Sequence, residues 1–314
     1  MANTIQRIDQ FSQWPHRLAL LAALATVPLL FIGGLVTSTG SGLAVPDWPT
    51  TFGENMFLYP WSKMIGGIFY EHSHRLFGSL VGFLTILLAA SLWFGESRQW
   101  LRWLGIVALG AVITQGILGG LRVVLLQQTL AIVHACFAQA FFALLVSLVL
   151  FTSTEWQETV TKKSTADAGQ VQRLAVLTTA LIYIQLILGA ILRHAGEWAM
   201  LHIAGAILVA VYVVLLAARV LRNHADLSAL ARSAILLRRL LVCQLVLGVG
   251  TYLGKFTEVG MFLNPYEVCF ATCHVVIGAL MFVTCVTLTL RTYRLVERQR
   301  FARQPQLFSK QASI

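Results

Sequence analysis

Residues 71–94 read EHSHRLFGSLVGFLTILLAASLWF, a polar head from Glu71 to Arg75 followed by a run in which residues 76–94 carry no charge. About 20 apolar residues are what a helix needs to cross ~30 Å of hydrocarbon. The stretch is therefore a membrane span that carries two histidines at one end. Seven further windows of this kind flank it, and together they place spans at about 17–36, 72–94, 102–122, 130–151, 173–193, 199–219, 233–254 and 267–290. The fold class expected is an all-α polytopic membrane protein of eight transmembrane helices. Composition agrees: 57% of the 314 residues are hydrophobic and 11% charged, too few polar side chains to cover a water-soluble globule of this size.

The formal charge of +10 could suggest nucleic acid or an anionic surface. Its distribution argues for orientation instead. Eighteen of the 23 Lys and Arg residues fall on the side that holds both chain ends: Arg7, Arg17, Arg98, Arg102, Lys162, Lys163, Arg173, Arg219, Arg222, Arg232, Arg238, Arg239, Arg291, Arg294, Arg298, Arg300, Arg303 and Lys310. Basic flanks resist translocation, so both termini are expected in the cytoplasm, with a lipid-headgroup contact as a secondary role. The five cysteines, Cys136, Cys243, Cys269, Cys273 and Cys285, lie inside apolar runs with no CxxC spacing, which argues against a disulfide framework. The first apolar run is long enough to span and has no small-residue cleavage site after it, so it is expected to remain as an anchor. The longest outer connection, about 37–71, contains SGLAVPDWPTTFGENMFLYPW and is expected to fold over the membrane surface, where it could act as a lid.

A repeat runs through the spans. Spans three, five and seven carry Gln-x-x-Leu-Gly at Gln115–Gly119, Gln185–Gly189 and Gln244–Gly248, and a residue pair four apart occupies one helix face. A small residue there lets helices approach and an amide can bond across the gap. His74, His134, His202 and His274 sit near the outer ends of spans two, four, six and eight. The pattern divides the chain into two tandem parallel four-helix halves, 1–152 and 171–314, joined by the polar linker 153–170.

An imidazole in a bilayer is costly, and one alone is as well explained by a hydrogen bond to a neighbouring helix. Four at matching places suggest cofactor clamps, because two histidines on different helices of a bundle can hold one haem iron from both faces. The pairs expected are His74 with His134, and His202 with His274. Arg75, Arg122, Arg193 and Lys255 lie near the same level and are candidates for binding haem propionates, with snorkelling to the interface as the alternative. Glu71 shares a helix face with His74 and suits either proton handling or the N-terminal end of a helix dipole. His72 points elsewhere and is taken as a secondary polar residue. His16, His194 and His224 are expected in solvated or interfacial places, and Cys273 turns about 100° from His274 and is not taken as a ligand.

The motifs GLVTSTGSGLAVPDWPTTFG, EHSHRLFGSLVG, QGILGGLRVV, HACFAQA, LHIAGA and CHVVIGAL together resemble the haem A synthase family. The resemblance covers the chain apart from its termini and the 153–170 linker. It implies an oxidoreductase of the bacterial cytoplasmic membrane that oxidises a methyl group of haem O to the formyl group of haem A by successive hydroxylations, for cytochrome c oxidase. It implies a substrate haem between His74 and His134, Glu71 as the essential catalytic acid, and a permanent haem b on His202 and His274, with both sites toward the outer face. Partners implied are haem O synthase and cytochrome c oxidase assembly factors. The chain departs from many such proteins in the first outer loop, where Val45, Thr50 and Thr51 surround the PDWP motif and no cysteine pair is present. Two rival readings remain at this level: a non-catalytic di-haem membrane cytochrome, and a proton-coupled transporter with histidine relays.

Overall fold

Apolar runs bounded by Gly, Pro and basic residues leave the backbone one way to satisfy its own hydrogen bonds in lipid, which is to stay helical across the bilayer. The computed structural model describes residues 13–258 and 260–299. Among them are eight helices long and apolar enough to span a membrane. They are α1 (Trp14–Ser38), α2 (Gly67–Gly95), α3 (Gln99–Leu125), α4 (Gln128–Thr152), α6 (Ala168–Ala195), α7 (Ala199–Asn223), α8 (Ser228–Phe256) and α9 (Gly260–Leu295), with a four-residue helix α5 (Thr154–Gln157) between the fourth and fifth spans. The chain is an integral membrane protein. Each helix outruns its apolar window by a few residues, since hydropathy registers only the hydrocarbon layer whereas helical bonding continues into the headgroup zone. Pro15 starts α1 where its missing N–H costs nothing. Gly196, at φ 74°, ends α6 in the left-handed conformation that favours glycine, and its N–H reaches Leu192 O at 3.0 Å.

Helix contacts follow a simple order. α1 packs on α2, α2 on α3, α3 on α4, and α4 returns to α1; in the same way α6 packs on α7, α7 on α8, α8 on α9, and α9 returns to α6. The two rings meet where α9 lies against α1 and α4, and α4 against α6. In this order α2 and α4 are diagonal to one another, as are α7 and α9. Lipid provides no hydrophobic drive between helices, so the seam is held by close packing and polar contacts. Ser38 and Thr272 hydroxyls lie 3.1 Å apart, Tyr183 donates to Cys136 O at 3.4 Å, and its ring stacks on Phe282 at 5.2 Å.

The face where α1 begins and α9 ends differs from expectation in two ways. The 153–170 linker is partly ordered: after α5, strand β1 (Lys163–Thr165) pairs in parallel with β2 (Val296–Arg298), so a small two-stranded sheet accompanies the helices, and α6 already begins at Ala168. The linker is held because Arg294 donates to the carbonyls of Glu155 and Glu158 and lies over the Trp156 ring. Local apolar pattern could not reveal this, since the partner strand is more than a hundred residues away. His224, expected in a solvated or interfacial place, is fully buried. Its Nε2 lies 2.9 Å from Asp167 Oδ2, while Arg219 Nε donates to Asp167 Oδ1 at 2.9 Å. His16 is likewise engaged, 3.1 Å from Val149 O. Arg7, Arg300, Arg303 and Lys310 lie outside the described residues.

Burial alone would raise the Asp167 carboxyl, but hydrogen bonds from Arg219, Asn223 and His224 and the Arg219 charge hold it at about 2, against an ordinary value of 3.8. A depressed carboxyl stabilises the fold fully above its unfolded value and ceases to do so as pH falls through its folded value. Asp167→Asn should therefore lower the melting temperature of detergent-solubilised protein at pH 6, and the gap to wild type should narrow as pH falls from about 4 toward 2. A gap independent of pH would show that the charge of Asp167 contributes nothing.

Candidate functional site

Each of the four repeated histidines lies against a glycine on the helix that precedes its own. A Cβ on Gly33 of α1 would stand 2.9 Å from His74 Cε1 on α2; at Gly119 of α3 the distance to His134 Cε1 on α4 is 3.1 Å. The same holds at Gly189 of α6 for His202 on α7 (3.1 Å), and at Gly248 of α8 for His274 on α9 (3.0 Å). At Gly33 an added Cβ would force a shift and at the other three the imidazole would have to give by a few tenths of an ångström, so the bare backbone lets each ring sit close against the preceding helix. Gln115, Gln185 and Gln244, one turn before their glycines, each place the amide nitrogen within 3.4 Å of a ring nitrogen of His134, His202 and His274. Gly33 in the first span escaped the sequence pattern because Leu29 stands where the glutamine would be.

The histidines converge in pairs across the diagonals. Ring centroids of His74 and His134 are 6.5 Å apart, and those of His202 and His274 are 6.3 Å apart, with interplanar angles of 77° and 70°. A metal–imidazole bond is ~2 Å and the ring centre lies about 1 Å further back, so two imidazoles sharing one metal ion stand on the order of 6.3 Å centre to centre. Both separations meet this requirement. The Nδ1 atoms of His74 and His134 are buried with no hydrogen-bond partner, a costly arrangement in a protein interior that a metal ligand would resolve. The separations at both pairs thus fit two imidazoles sharing one metal ion, and at the first pair the partnerless ring nitrogens fit a ligand role as well.

The long connection between α1 and α2 is a folded cap gripped by three residues from the start of α2. Glu71 is buried, and its carboxylate accepts from Val45 N at 3.0 Å and from Arg75 Nη2 at 2.9 Å. Arg75 also donates to the carbonyls of Val45 (3.0 Å), Asp47 (2.7 Å) and Thr50 (3.0 Å). His72 is buried beneath the cap, 3.2 Å from the Thr51 hydroxyl and against the Tyr59 ring. Asp47 ties the tip by accepting from the Phe52 and Gly53 amides and the Thr50 hydroxyl. Burial would raise its carboxyl, yet these bonds hold it below the usual value. The Trp48 indole lies on Gly120 of α3 so closely that a Cβ would collide with it, and the Arg122 guanidinium meets Gly42 in the same way. Neither Gly42 nor Gly120 stood out in the sequence, where nothing links a loop tryptophan to a glycine seventy residues on.

The four basic candidates part company. Arg75 turns both terminal nitrogens to the cap and Glu71. Arg193 donates across the seam to Gly34 O (2.7 Å) and Ser38 Oγ (2.6 Å) of α1 and to Ala271 O (3.3 Å) of α9. Arg122 borders the cap above the first pair, and Lys255 is half-exposed, 3.7 Å from Glu267. The five cysteines are free; Cys269 and Cys273 bring their sulfurs to 3.9 Å, a pairing one helical turn apart that a CxxC search misses.

Comparison with known proteins follows the same region. The family model COX15-CtaA, described as cytochrome oxidase assembly protein, matches residues 16–200 and so includes Glu71, His74 and His134. The chain is 32% identical over 189 residues to the heme A synthase of Shouchella clausii, a match covering 57% of this chain and 59% of that relative. It is 24% identical over 304 residues to the heme A synthase of Geobacillus kaustophilus, covering 87% and 92%. It is 34% identical over 143 residues to that of Halalkalibacterium halodurans, covering 44% and 45%.

Replacing Arg75 with Ala removes three bonds that dock the cap and one to Glu71, a loss on the order of 3 kcal/mol, the scale of one or two charge-assisted hydrogen bonds. Limited proteolysis should then cut within residues 41–64 while circular dichroism reports unchanged helix content. Equal protease resistance in Arg75→Ala and wild type would contradict the grip described.

Proposed function

The chain belongs to the COX15-CtaA family of cytochrome oxidase assembly proteins, and from that premise we propose that it is a haem A synthase, an oxidoreductase that converts a methyl group of haem O to the formyl group of haem A. The observation that carries this reading is the pair of diagonal histidine clamps at iron-sharing separation, one of them under a folded cap. His74 and His134 would hold haem O as substrate, and His202 and His274 a resident haem b. The resident group would supply one-electron redox capacity, a route for electrons withdrawn from the substrate.

This chain's own residues account for the rest. A membrane-embedded bundle suits a farnesylated, nearly insoluble substrate. The cap, fixed by Glu71, His72 and Arg75, excludes water from the outer end of the first clamp, which favours oxidation chemistry confined to one position. Glu71 adds a carboxylate at the rim of that clamp, placed both to dock the cap and to stabilise developing positive charge. Arg122, beside the cap, is the favoured partner for a substrate propionate; Arg75 serves the cap. Two tandem four-helix halves, each closed by its own ring of helix contacts, repeat one clamp design. The basic residues of the terminal face put both chain ends in the cytoplasm and both clamps toward the outer surface. A purely electron-passing di-haem cytochrome leaves the cap and Glu71 without a task.

In cells that make haem O, His202→Ala or His274→Ala should strip resident haem b, whereas His74→Ala, His134→Ala or Glu71→Ala should abolish haem A formation with haem b retained. Haem extraction and mass analysis with visible spectra read both outcomes. Loss of haem b from only the His74 and His134 variants would reverse the roles of the halves, and haem A formation unaffected by any variant would overturn the function.

A further inference from the structure

The cap is polar where α2 grips it and apolar along the stretch that leads into α2. Val45, Asp47, Thr50 and Thr51 meet Glu71, His72 and Arg75 through hydrogen bonds. Further on, Tyr59 and Met64 turn inward and are buried, with the Tyr59 ring 5.2 Å from His72. Phe57, Leu58, Trp61 and Ile65 turn outward and are 67% to 78% exposed. The charge beside them is an exposed ion pair, Lys63 with Glu54 at 2.8 Å. Large apolar side chains gathered on one exposed edge mark an interaction surface rather than a face meant for water.

Chain continuity identifies what this edge meets. The Ile68 and Phe69 amides donate to Ile65 O and Gly66 O, each at 3.2 Å, so the apolar stretch runs directly into the first turn of α2. Along α2, Phe69, Leu80 and Leu87 are all exposed, and at 3.6 residues per turn their spacing returns them to one helix face. Because α2 is long and apolar enough to span a membrane, that face meets lipid. Trp61 and Lys63 match the side chains that gather where hydrocarbon gives way to headgroups. At 1.5 Å per residue, Phe69 stands about 8 Å along the helix axis from His74, which puts the edge just outside the first clamp. Resting on the function proposed above, we propose that Phe57, Leu58, Trp61 and Ile65 are seated in the outer leaflet of the bilayer, and that the farnesylated porphyrin reaches the first clamp from the lipid, passing beneath this edge of the cap. An apolar sill keeps the isoprenoid tail in hydrocarbon throughout entry, whereas a route through water would expose tail and clamp together.

Thiol labelling of purified, haem-loaded protein in phosphatidylcholine nanodiscs tests the seat. In Leu58→Cys and Ile65→Cys the new thiol should react with a charged, membrane-impermeant maleimide about tenfold or more slowly than in Glu54→Cys, since a thiol in hydrocarbon does not ionise. Wild type sets the background of the native cysteines. Equally fast labelling at residues 54, 58 and 65 would overturn the seat and point to a protein partner for this edge. Uptake tests the route. When haem O is added to proteoliposomes and partitions into their bilayer, the double variant Leu58→Asp, Trp61→Asp should load the first clamp several-fold more slowly than wild type, read from the Soret band, with final occupancy unchanged. An unaltered loading rate would overturn the route. Haem O that binds neither wild type nor variant would instead sink the function on which the route rests, while the labelling still decides the seat.

Discussion

Each of the four repeated imidazoles sits closest to its neighbouring helix where that helix carries a glycine, and this close approach organises the molecule. Gly33, Gly119, Gly189 and Gly248 provide it four times, each on the helix preceding its histidine. Close approach at these points brings each helix pair together near the same membrane face. The cyclic helix contacts then carry the histidines to opposite corners, where 6.5 and 6.3 Å separate the rings. A larger residue at any of the four glycines would push a ring toward its diagonal partner or the two helices apart. In a membrane, where packing and polar contacts replace the hydrophobic drive, the same contacts supply both cohesion and the site.

The two clamps share a frame but differ in what surrounds them. The first lies under a cap held by buried hydrogen bonds to Glu71, His72 and Arg75, and one of its rings lacks a glutamine partner. In the second, both rings have a glutamine, and the neighbouring seam is tied by Arg193, whose bonds run from α6 to α1 and α9. Gly34 follows the glycine that cradles His74, and Ala271 lies one turn before His274, so Arg193 couples the backbones of the two clamps directly. A rigid link of this kind suits two redox centres whose separation has to stay fixed.

Much of this was legible in the sequence. Eight spans followed from apolar length, and the histidines followed from the glutamine–glycine repeat, because both signals are local and periodic. What stayed hidden depended on partners distant along the chain. Leu29 broke the pattern in span one, concealing the Gly33 cradle. Arg75 resembled a ligand-binding cation by position, yet the cap supplies acceptors for its donors. His224 sat at a span end and suited a solvated or interfacial place, but it is buried against Asp167, 57 residues back along the chain, which also accepts from Arg219. The short sheet joins residues 163–165 to 296–298, a contact no periodicity announces.

The central claim is that each diagonal pair shares one iron. Electron paramagnetic resonance of the oxidised, haem-loaded protein, with histidine nitrogens isotopically labelled, tests it most directly. Two low-spin ferric centres per chain, each coupled to two imidazole nitrogens, is the result this account requires. High-spin signals alone, or iron coupled to a single imidazole at both centres, would contradict it.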